Sequence, residues 1–185
     1  EELDNLISVG NPQISPDGSQ ILYTRKSVKD GINHTTVWVA STKGSKKPRE
    51  LTTDGKDGMP RWSPDGTKVA FMRAGESGCQ VFTIDMDGGE AQQLTHFPEG
   101  TISEMKWSST GSCLAVSFRK TEEPYTHIAA ERRKETKESD PPIITENAWY
   151  RLDGDGYFAH ARFQLYLVDS CNGKHKKIWS KDTLG

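Results

Sequence analysis

The residue patterns that could support covalent or nucleotide chemistry are incomplete in this chain. A nucleophilic serine is often presented by G-x-S-x-G at a strand-to-helix turn. The nearest match, Gly75–Cys79 (GESGC), lacks the last glycine and falls in a predicted hairpin loop. Residues Gly154–Ala159 (GDGYFA) fit the dinucleotide pattern G-x-G-x-x-A, but no β-α-β unit surrounds them and Lys174 stands where an acidic residue is required. We therefore predict no catalytic residue and no cofactor.

The metal-ligand patterns are incomplete as well. Asp85-x-Asp87 and Asp153-x-Asp155 begin like calcium loops but lack the later ligands and the glycine of such loops. No two histidines have H-x-x-x-H spacing: His34, His96, His127, His160 and His175. The cysteines form no C-x-x-C pair and are odd in number: Cys79, Cys113 and Cys171. We predict no metal site, and we expect the cysteines to be small buried apolar residues.

Other polar and aromatic candidates favour ordinary surface or packing roles. Asn33–Thr35 is a formal glycosylation sequon. Glu122 and Glu123 could meet a substrate amine if the segment around them lines a cavity. Two basic turns have acidic neighbours and are interpreted as solvated loops: Lys43, Lys46, Lys47 and Arg49, then Arg132, Arg133 and Lys134. The tryptophans are interpreted as packing residues: Trp38, Trp62, Trp107, Trp149 and Trp179.

Composition narrows the class of protein. The chain has 185 residues, of which 33% are apolar, and 24 basic against 26 acidic side chains give a net charge of −2. Such a balance does not favour nucleic acid or an anionic membrane as a partner. No apolar run has the roughly 18 residues of a membrane helix, and no signal peptide is recognisable. We expect a cytoplasmic protein.

The elements that must position any site come from an internal repeat. Ile14–Gly18 (ISPDG) returns as Trp62–Gly66 (WSPDG) and, in weaker form, as Trp107–Gly111 (WSSTG), at offsets of 48 and 45 residues. Ser-Pro-Asp-Gly suits a type I turn between antiparallel strands. Four short strands per unit at this period are typical of a β-propeller blade.

Strand predictions follow the same period. After each turn comes one apolar strand: Ile21–Thr24, Val69–Met72 and Leu114–Phe118. A second follows it: Val37–Ala40, Val81–Ile84 and Leu165–Val168. Each unit then has a turn-rich segment, including Gly88 and Gly89, where positive φ is expected. The fold class is predicted as all-β, a partial propeller of about three four-stranded antiparallel blades over residues 10–56, 57–100 and 101–182.

The third unit contains an insertion. From its turn glycine to the aromatic residue of its third strand, Gly111 to Tyr166, there are 55 residues, where the first two units have 20 and 16. We place the insertion at residues 121–162, between the second and third strands. Its segment Ala129–Ser139 is densely charged and is expected to be a short exposed helix or a mobile tip, ended by Pro141 and Pro142.

The repeat resembles that of TolB-type propellers, with W-S-P-D-G, an I-A-F strand, an I-Y-V-x-D strand, G-G and L-T. Residues Ile144–Asp169 also resemble the insertion of the acylaminoacyl-peptidase-like branch of the prolyl oligopeptidase family, where an R-x-D-G-x-G-Y/F run leads into an L-x-V-V-D strand. The resemblance implies a serine peptidase with a propeller of about seven blades over a C-terminal α/β-hydrolase domain. That domain carries the triad and is expected outside this chain.

Two functions remain open from the sequence. In one, the chain is a non-catalytic propeller segment that gates the access of oligopeptides to the hydrolase domain, its expected partner. In the other, it is a TolB-like binding scaffold without chemistry. Three blades would leave apolar faces and strand edges uncovered, so the chain is expected to be the first part of a larger propeller. By itself, such a piece could pair its strand edges with another copy as a homo-oligomer.

Overall fold

The structure is a computed structural model that describes residues 7–29, 31–44, 46–76, 78–142, 151–152, 156–157 and 161–179. Within these residues it is nearly all-β, with three four-stranded antiparallel sheets and one two-stranded sheet. Each large sheet is built from one repeat, and its strands are hydrogen-bonded in chain order. The predicted all-β partial propeller is confirmed.

The bounds of the elements follow the repeat. Sheet 1 contains β1 Ser8–Ile14, β2 Gln20–Lys29, β3 Ile32–Ser41 and β4 Arg49–Glu50. Sheet 2 contains β5 Asp57–Trp62, β6 Lys68–Gly75, β7 Gly78–Asp85 and β8 Gln92–Gln93. Sheet 3 contains β9 Gly100–Trp107, β10 Cys113–Lys120, β13 Gln164–Asp169 and β14 His175–Trp179. Between β10 and β13 lie a 3₁₀ turn Glu123–Tyr125, α1 His127–Thr136, and a small hairpin of β11 Arg151–Leu152 and β12 Gly156–Tyr157.

The Ser-Pro-Asp-Gly segments form the predicted tight turns between the first two strands of sheets 1 and 2. The Gly18 amide donates to the Ser15 carbonyl at 2.9 Å, and Gly66 donates to Ser63 in the same way. The Asp17 carboxylate accepts from the Ser15 hydroxyl at 2.6 Å and from the Ser19 amide at 3.0 Å. The aspartate carboxylate and the glycine amide of the motif therefore both hold the turn.

The Leu-Thr pairs close each of the first two units. The Thr52 hydroxyl accepts from the Val37 amide at 3.0 Å, and the Thr95 hydroxyl accepts from the Val81 amide at 2.9 Å. Both threonines are buried, so each hydroxyl satisfies a backbone donor that has no water to bond. The chain thus returns to the third strand of its own sheet before it crosses to the next.

The sheets pack face to face around two apolar cores. The core between sheets 1 and 2 contains Leu22, Val37, Val39, Trp62, Val69, Phe71 and Ile84. The core between sheets 2 and 3 contains Ala70, Val81, Leu94, Phe97, Ile102, Met105, Leu114, Val116, Phe118 and Val168. Successive residues of a strand point to opposite faces, and Val69, Ala70 and Phe71 are all 0% exposed. Sheet 2 is therefore covered on both faces.

Polar contacts tie neighbouring sheets together. The Trp62 indole N–H donates to the Gln13 carbonyl of β1 at 3.2 Å, and the Trp107 indole N–H donates to the Arg61 carbonyl of β5 at 3.1 Å. The Arg61 guanidinium also contacts the Glu104 carboxylate of β9 at 2.8 Å. Trp62 and Trp107 therefore pack as the repeat predicted, and their indoles also bond across the sheets, which the repeat did not indicate.

The insertion lies between the second and third strands of sheet 3, as predicted. Its charged segment forms α1, whose first amide, at His127, donates to both carboxylate oxygens of Glu99 at 3.0 and 2.9 Å. Thr126 caps the helix by accepting from the Ala129 amide at 3.3 Å. The helix ends at Thr136, and the next residue, Lys137, has a left-handed φ of 57°, so the helix stops before the two prolines.

Some side-chain predictions were wrong. Cys171 is exposed in the turn after β13, and Cys79 and Cys113 are only half-buried. Burial raises the pKa of the Cys79 thiol, which keeps it protonated near neutral pH. Trp179 is 55% exposed because it lies on β14, the outer strand of sheet 3. Trp149 lies outside the described residues.

Candidate functional site

One edge of the sheets gathers the loops that differ among the three units. The β2–β3 turn, the β6–β7 turn and the insertion all leave their sheets at the same end, which we call the insertion edge. The connections between sheets lie at this edge too. Gly55, in the connection from sheet 1 to sheet 2, accepts from the Thr35 amide through its carbonyl, and Glu99, in the connection from sheet 2 to sheet 3, accepts from the Thr121 amide in the same way. The Ser-Pro-Asp-Gly turns lie at the opposite end, which we call the turn edge.

A cleft of about 500 Å³ lies at the base of the insertion. Its lining comes from the end of β10, the 3₁₀ turn, the start of β13 and β14: Lys120, Thr121, Glu122, Glu123, Ala161, Arg162, Gln164, Tyr166 and Lys177. Glu122 is half-buried and Glu123 is exposed. The two glutamates singled out in the sequence thus line a cleft, which was the condition for their proposed role.

The chemistry available in this cleft is ionic recognition. Carboxylates at its wall can accept hydrogen bonds from an ammonium group, and Lys120 and Lys177 on the strands can meet a carboxylate. The pairing of β10 with β13, from Cys113 with Asp169 to Phe118 with Gln164, fixes the backbone of two lining residues, Gln164 and Tyr166. The cleft combines a rigid floor with a wall contributed by the insertion.

A second cleft, of about 470 Å³, surrounds Arg73 in sheet 2. The Arg73 guanidinium holds the fully buried Asp57 carboxylate through two bonds of 2.6 and 3.0 Å and contacts the Asp54 carboxylate at 2.9 Å. It also lies over the Phe82 ring, 4.6 Å from the centroid. The hydrogen bond to Asp57 raises the pKa of Arg73. Because the guanidinium is engaged in these contacts within the fold, we assign Arg73 a structural role.

The four histidines that the structure describes do not converge. His34 is on β3, His96 follows β8, His127 begins α1 and His175 is on β14, while His160 lies outside the described residues. Within the part of the chain that the structure describes, no group of three or more histidine, cysteine, aspartate or glutamate side chains could hold a metal ion.

The incomplete motifs are also dispersed. Gly75 and Gly78 border the β6–β7 turn, but Ser77 lies outside the described residues. So do Gly154, Asp155, Phe158 and Ala159 of the dinucleotide-like segment. On the turn edge, Asp85 pairs with Lys68 at 3.4 Å, which is a solvent-exposed contact.

The basic turns lie on different parts of the molecule. Lys46, Lys47 and Arg49 line the turn edge beside Met86, whose carbonyl accepts from Arg49 at 3.4 Å. In α1, Arg133 donates to the Pro124 carbonyl at 2.6 Å. The two turns therefore form no common basic surface.

Comparison with known proteins identifies the repeat. The profile of the TolB beta propeller domain matches residues 5–149, most of the chain. The chain belongs to the TolB β-propeller family. Among the described residues of this TolB propeller chain, no helix is long and apolar enough to cross a membrane.

The curated relatives of the TolB propeller chain include peptidases. An uncharacterized peptidase, YuxL, of Bacillus subtilis is 30% identical over 184 residues, covering 97% of this chain and 27% of that protein. Dipeptidyl-peptidase 5 of Porphyromonas endodontalis is 31% identical over 121 residues, covering 63% of this chain and 17% of that protein. The chain thus spans about a quarter or less of these relatives and resembles their N-terminal propeller.

Solved structures share the fold of the TolB propeller chain. Acylaminoacyl peptidase of Pyrococcus horikoshii superposes with a TM-score of 0.72 at 16% identity, covering 94% of this chain and 25% of that one. TolB of Acinetobacter baumannii superposes with a TM-score of 0.58 at 17% identity, covering 91% and 32%.

Proposed function

We propose that the chain is the non-catalytic propeller segment of a serine oligopeptidase, and that its insertion edge gates the access of peptides to a C-terminal α/β-hydrolase domain. The observation that supports this most is the cleft at the base of the insertion, in a chain whose relatives include peptidases. The units proposed from the sequence, residues 10–56, 57–100 and 101–182, would each supply one blade. A cytoplasmic location remains a prediction.

Gating requires a rigid frame and a shaped rim. The sheets provide the frame, because two cores and the cross-sheet indole bonds fix their spacing. The insertion provides the rim, since Glu99 and Thr126 hold the start of α1 beside sheet 3. A peptide that approaches the insertion edge would meet this rim before it reaches the reactive domain.

Glu122 and Glu123 have a proposed role in this gate. Their carboxylates would accept hydrogen bonds from the free amino terminus of a short peptide in the cleft. Both are substrate-binding candidates only, and no residue of this chain is assigned to bond cleavage.

The first test is whether the reactive domain exists. The coding sequence downstream of Gly185 should contain G-x-S-x-G followed by an aspartate and a histidine. The 185-residue chain should not be labelled by a serine-directed fluorophosphonate, whereas the longer protein should be. A downstream sequence without the motif, or labelling of the short chain, would contradict the proposal.

The second test concerns the gate. In the longer peptidase, the double substitution Glu122→Gln and Glu123→Gln should raise KM for peptides with a free amino terminus and leave N-acetylated peptides unaffected. Lys47→Ala, on the turn edge, is the matched control and should leave KM unchanged for both classes of peptide. If KM were unchanged for both peptide classes, the proposed role of the two glutamates would be wrong. If deletion of residues 121–162 left the substrate size limit unchanged, the proposed gate would be wrong.

The alternative is a TolB-like binding scaffold without chemistry. The family match and the fold shared with TolB fit this scaffold as well as they fit a peptidase propeller, because both kinds of protein contain the same repeat. The downstream sequence separates the two functions, since a scaffold needs no serine motif there.

A further inference from the structure

Glu99 holds both ends of the segment that carries the two candidate glutamates. It lies in the connection from sheet 2 to sheet 3, one residue before β9. Its backbone carbonyl accepts from the Thr121 amide at 2.8 Å, and its carboxylate accepts from the His127 amide at 3.0 and 2.9 Å. Glu122 and Glu123 lie between these two amides, so one residue of the sheet connection clamps the chain on either side of them.

Residues 121–127, which we call the glutamate segment, form a compact turn between the two clamps. The Tyr125 amide donates to the Glu122 carbonyl at 2.9 Å, and the Thr126 hydroxyl donates to the Glu123 carbonyl at 2.9 Å. Both glutamates therefore belong to the backbone of a single closed turn. Movement at either end of the segment would change the positions of their carboxylates.

The backbone at Glu99 is itself fixed by close packing. A Cβ on Gly100, the next residue, would collide with the Arg119 carbonyl and the Phe118 ring at the end of β10. On the other side, a Cβ on Gly78 would lie 2.6 Å from the Gly100 backbone nitrogen. The chain at Glu99 is thus confined between the β6–β7 turn and β10, which makes it a rigid anchor for the glutamate segment.

The contact at His127 is chemically suited to a carboxylate. The first amides of an α-helix have no partner within the helix, and the N-terminus carries a partial positive charge. In α1, Thr126 accepts from the Ala129 amide and Glu99 accepts from the His127 amide. Replacement of Glu99 by alanine would remove the acceptor for His127 and release one of the two clamps.

Comparison with sheet 2 shows that this use of the carboxylate is particular to the third unit. Asp54 is the counterpart of Glu99, because the two residues are separated by the 45-residue offset of the repeat. The Asp54 carboxylate contacts the Arg73 guanidinium of its own sheet at 2.9 Å. Phe118 occupies the place of Arg73 in sheet 3 and offers no cation, and the Glu99 carboxylate bonds the His127 amide of the insertion instead.

We propose that Glu99 is a positioning residue, which holds Glu122 and Glu123 at the cleft so that they can bind the amino terminus of a peptide. The inference rests on the role that the proposed function gives these two glutamates, and it assigns that role a support outside the insertion. Glu99 is not among the residues that line the cleft. It therefore acts through the backbone of the glutamate segment.

Substitution of Glu99 in the longer peptidase tests this role. Glu99→Ala should raise KM for peptides with a free amino terminus by about fivefold, the order of effect when a helix N-terminus loses a carboxylate. It should leave kcat, and KM for N-acetylated peptides, unchanged. Glu99→Gln keeps one side-chain carbonyl as an acceptor for the His127 amide, so it should restore most of the lost affinity. Hydrogen exchange of the His127 amide should be faster in Glu99→Ala, which reports on the clamp independently of catalysis.

A combination of variants separates positioning from a general structural effect. When Glu122→Gln and Glu123→Gln are already present, Glu99→Ala should raise KM no further, because no carboxylate pair is left to position. Glu90→Ala is the matched control, since Glu90 is exposed in the connection between β7 and β8. It should change neither KM nor the exchange of the His127 amide.

The outcomes distinguish this inference from the proposed function. If the double substitution raises KM and Glu99→Ala does not, the positioning role is wrong while the role of the glutamates stands. Equal increases for free and N-acetylated peptides, or an effect of Glu99→Ala that adds to the double substitution, would also overturn the positioning role. If neither change raises KM, both the amine site and the positioning role are wrong.

Discussion

At the scale of single residues, the Asp17 carboxylate shows how one turn is held. Its bonds from the Ser15 hydroxyl, and then from Ser19, lower the pKa of Asp17 from 3.8 to about 2. Since the folded pKa is depressed, the charged group stabilises the turn above about pH 4, and this contribution is lost as the pH falls toward 2. We expect Ser15→Ala to move the pKa of Asp17 back toward 3.8, measured by NMR titration of the carboxyl carbon.

The second copy of the turn provides a control for this titration. Hydrogen bonds led by the one from Ser63 lower the pKa of Asp65 in the same way, and Ser15→Ala should leave that value unchanged. If the pKa of Asp17 did not move, the serine hydroxyl would not be its main partner.

The buried Asp57–Arg73 pair is the second residue-scale feature with a measurable consequence. Asp57→Asn removes the buried one of the two carboxylates that pair with Arg73, and the loss of one partner of a buried pair costs roughly 3 kcal/mol. Denaturant unfolding should show that loss in the free energy of unfolding. The same substitution at the exposed Lys68–Asp85 pair, Asp85→Asn, should cost less than about 1 kcal/mol. Equal losses in the free energy of unfolding would show that the buried Asp57–Arg73 pair stabilises the fold no more than the exposed Lys68–Asp85 pair.

Sequence reasoning could predict the turns but not this pair. Ser-Pro-Asp-Gly specifies its own local geometry, so Asp17 and Asp65 follow directly from the motif. The counterparts of Asp57 in the other units are Val9 and Ile102, both apolar. The repeat thus indicated an apolar residue, and the pairing of Asp57 with Arg73 depends on a strand register that the sequence does not display.

At the scale of elements, the β13–β14 turn is packed tightly against sheet 2. Gly173 has φ of 69°, and a Cβ there would collide with the Leu94 carbonyl. Gly44 occupies the equivalent turn of sheet 1 with φ of 65° and open space around it. Gly44→Ala should cost about 1 kcal/mol for the left-handed backbone, and Gly173→Ala should cost roughly 1–3 kcal/mol more because of the collision.

Thermal or denaturant unfolding of the two variants checks this difference. Equal destabilisation would mean that the β13–β14 turn can move away from Leu94 without loss.

The insertion illustrates the limit of prediction at this scale. Its place between the second and third strands follows from the interrupted period, and its charged segment suggested a helix. The bond from the His127 amide to Glu99 joins residues that are 28 positions apart, and no local pattern marks it. The cleft likewise depends on how the insertion folds back on β13 and β14.

At the scale of the whole molecule, stability should be highest in sheet 2. Proteins built from stacked repeats are stabilised mainly by contacts between neighbours, so a unit with two neighbours is held most strongly. β6 is buried on both faces, whereas β2 and β10 each have one covered face. Native-state hydrogen exchange on the 185-residue chain should therefore give β6 the slowest amides. Slower exchange in β2 or β10 would contradict a nearest-neighbour stack.

The indole bonds from Trp62 and Trp107 reach back by one sheet each. Every joint is therefore made by two adjacent units, and no joint depends on a third. During evolution, a gene could gain or lose a complete repeat, and each remaining tryptophan would still find a strand carbonyl behind it. A junction of this kind needs only the two sheets that it joins.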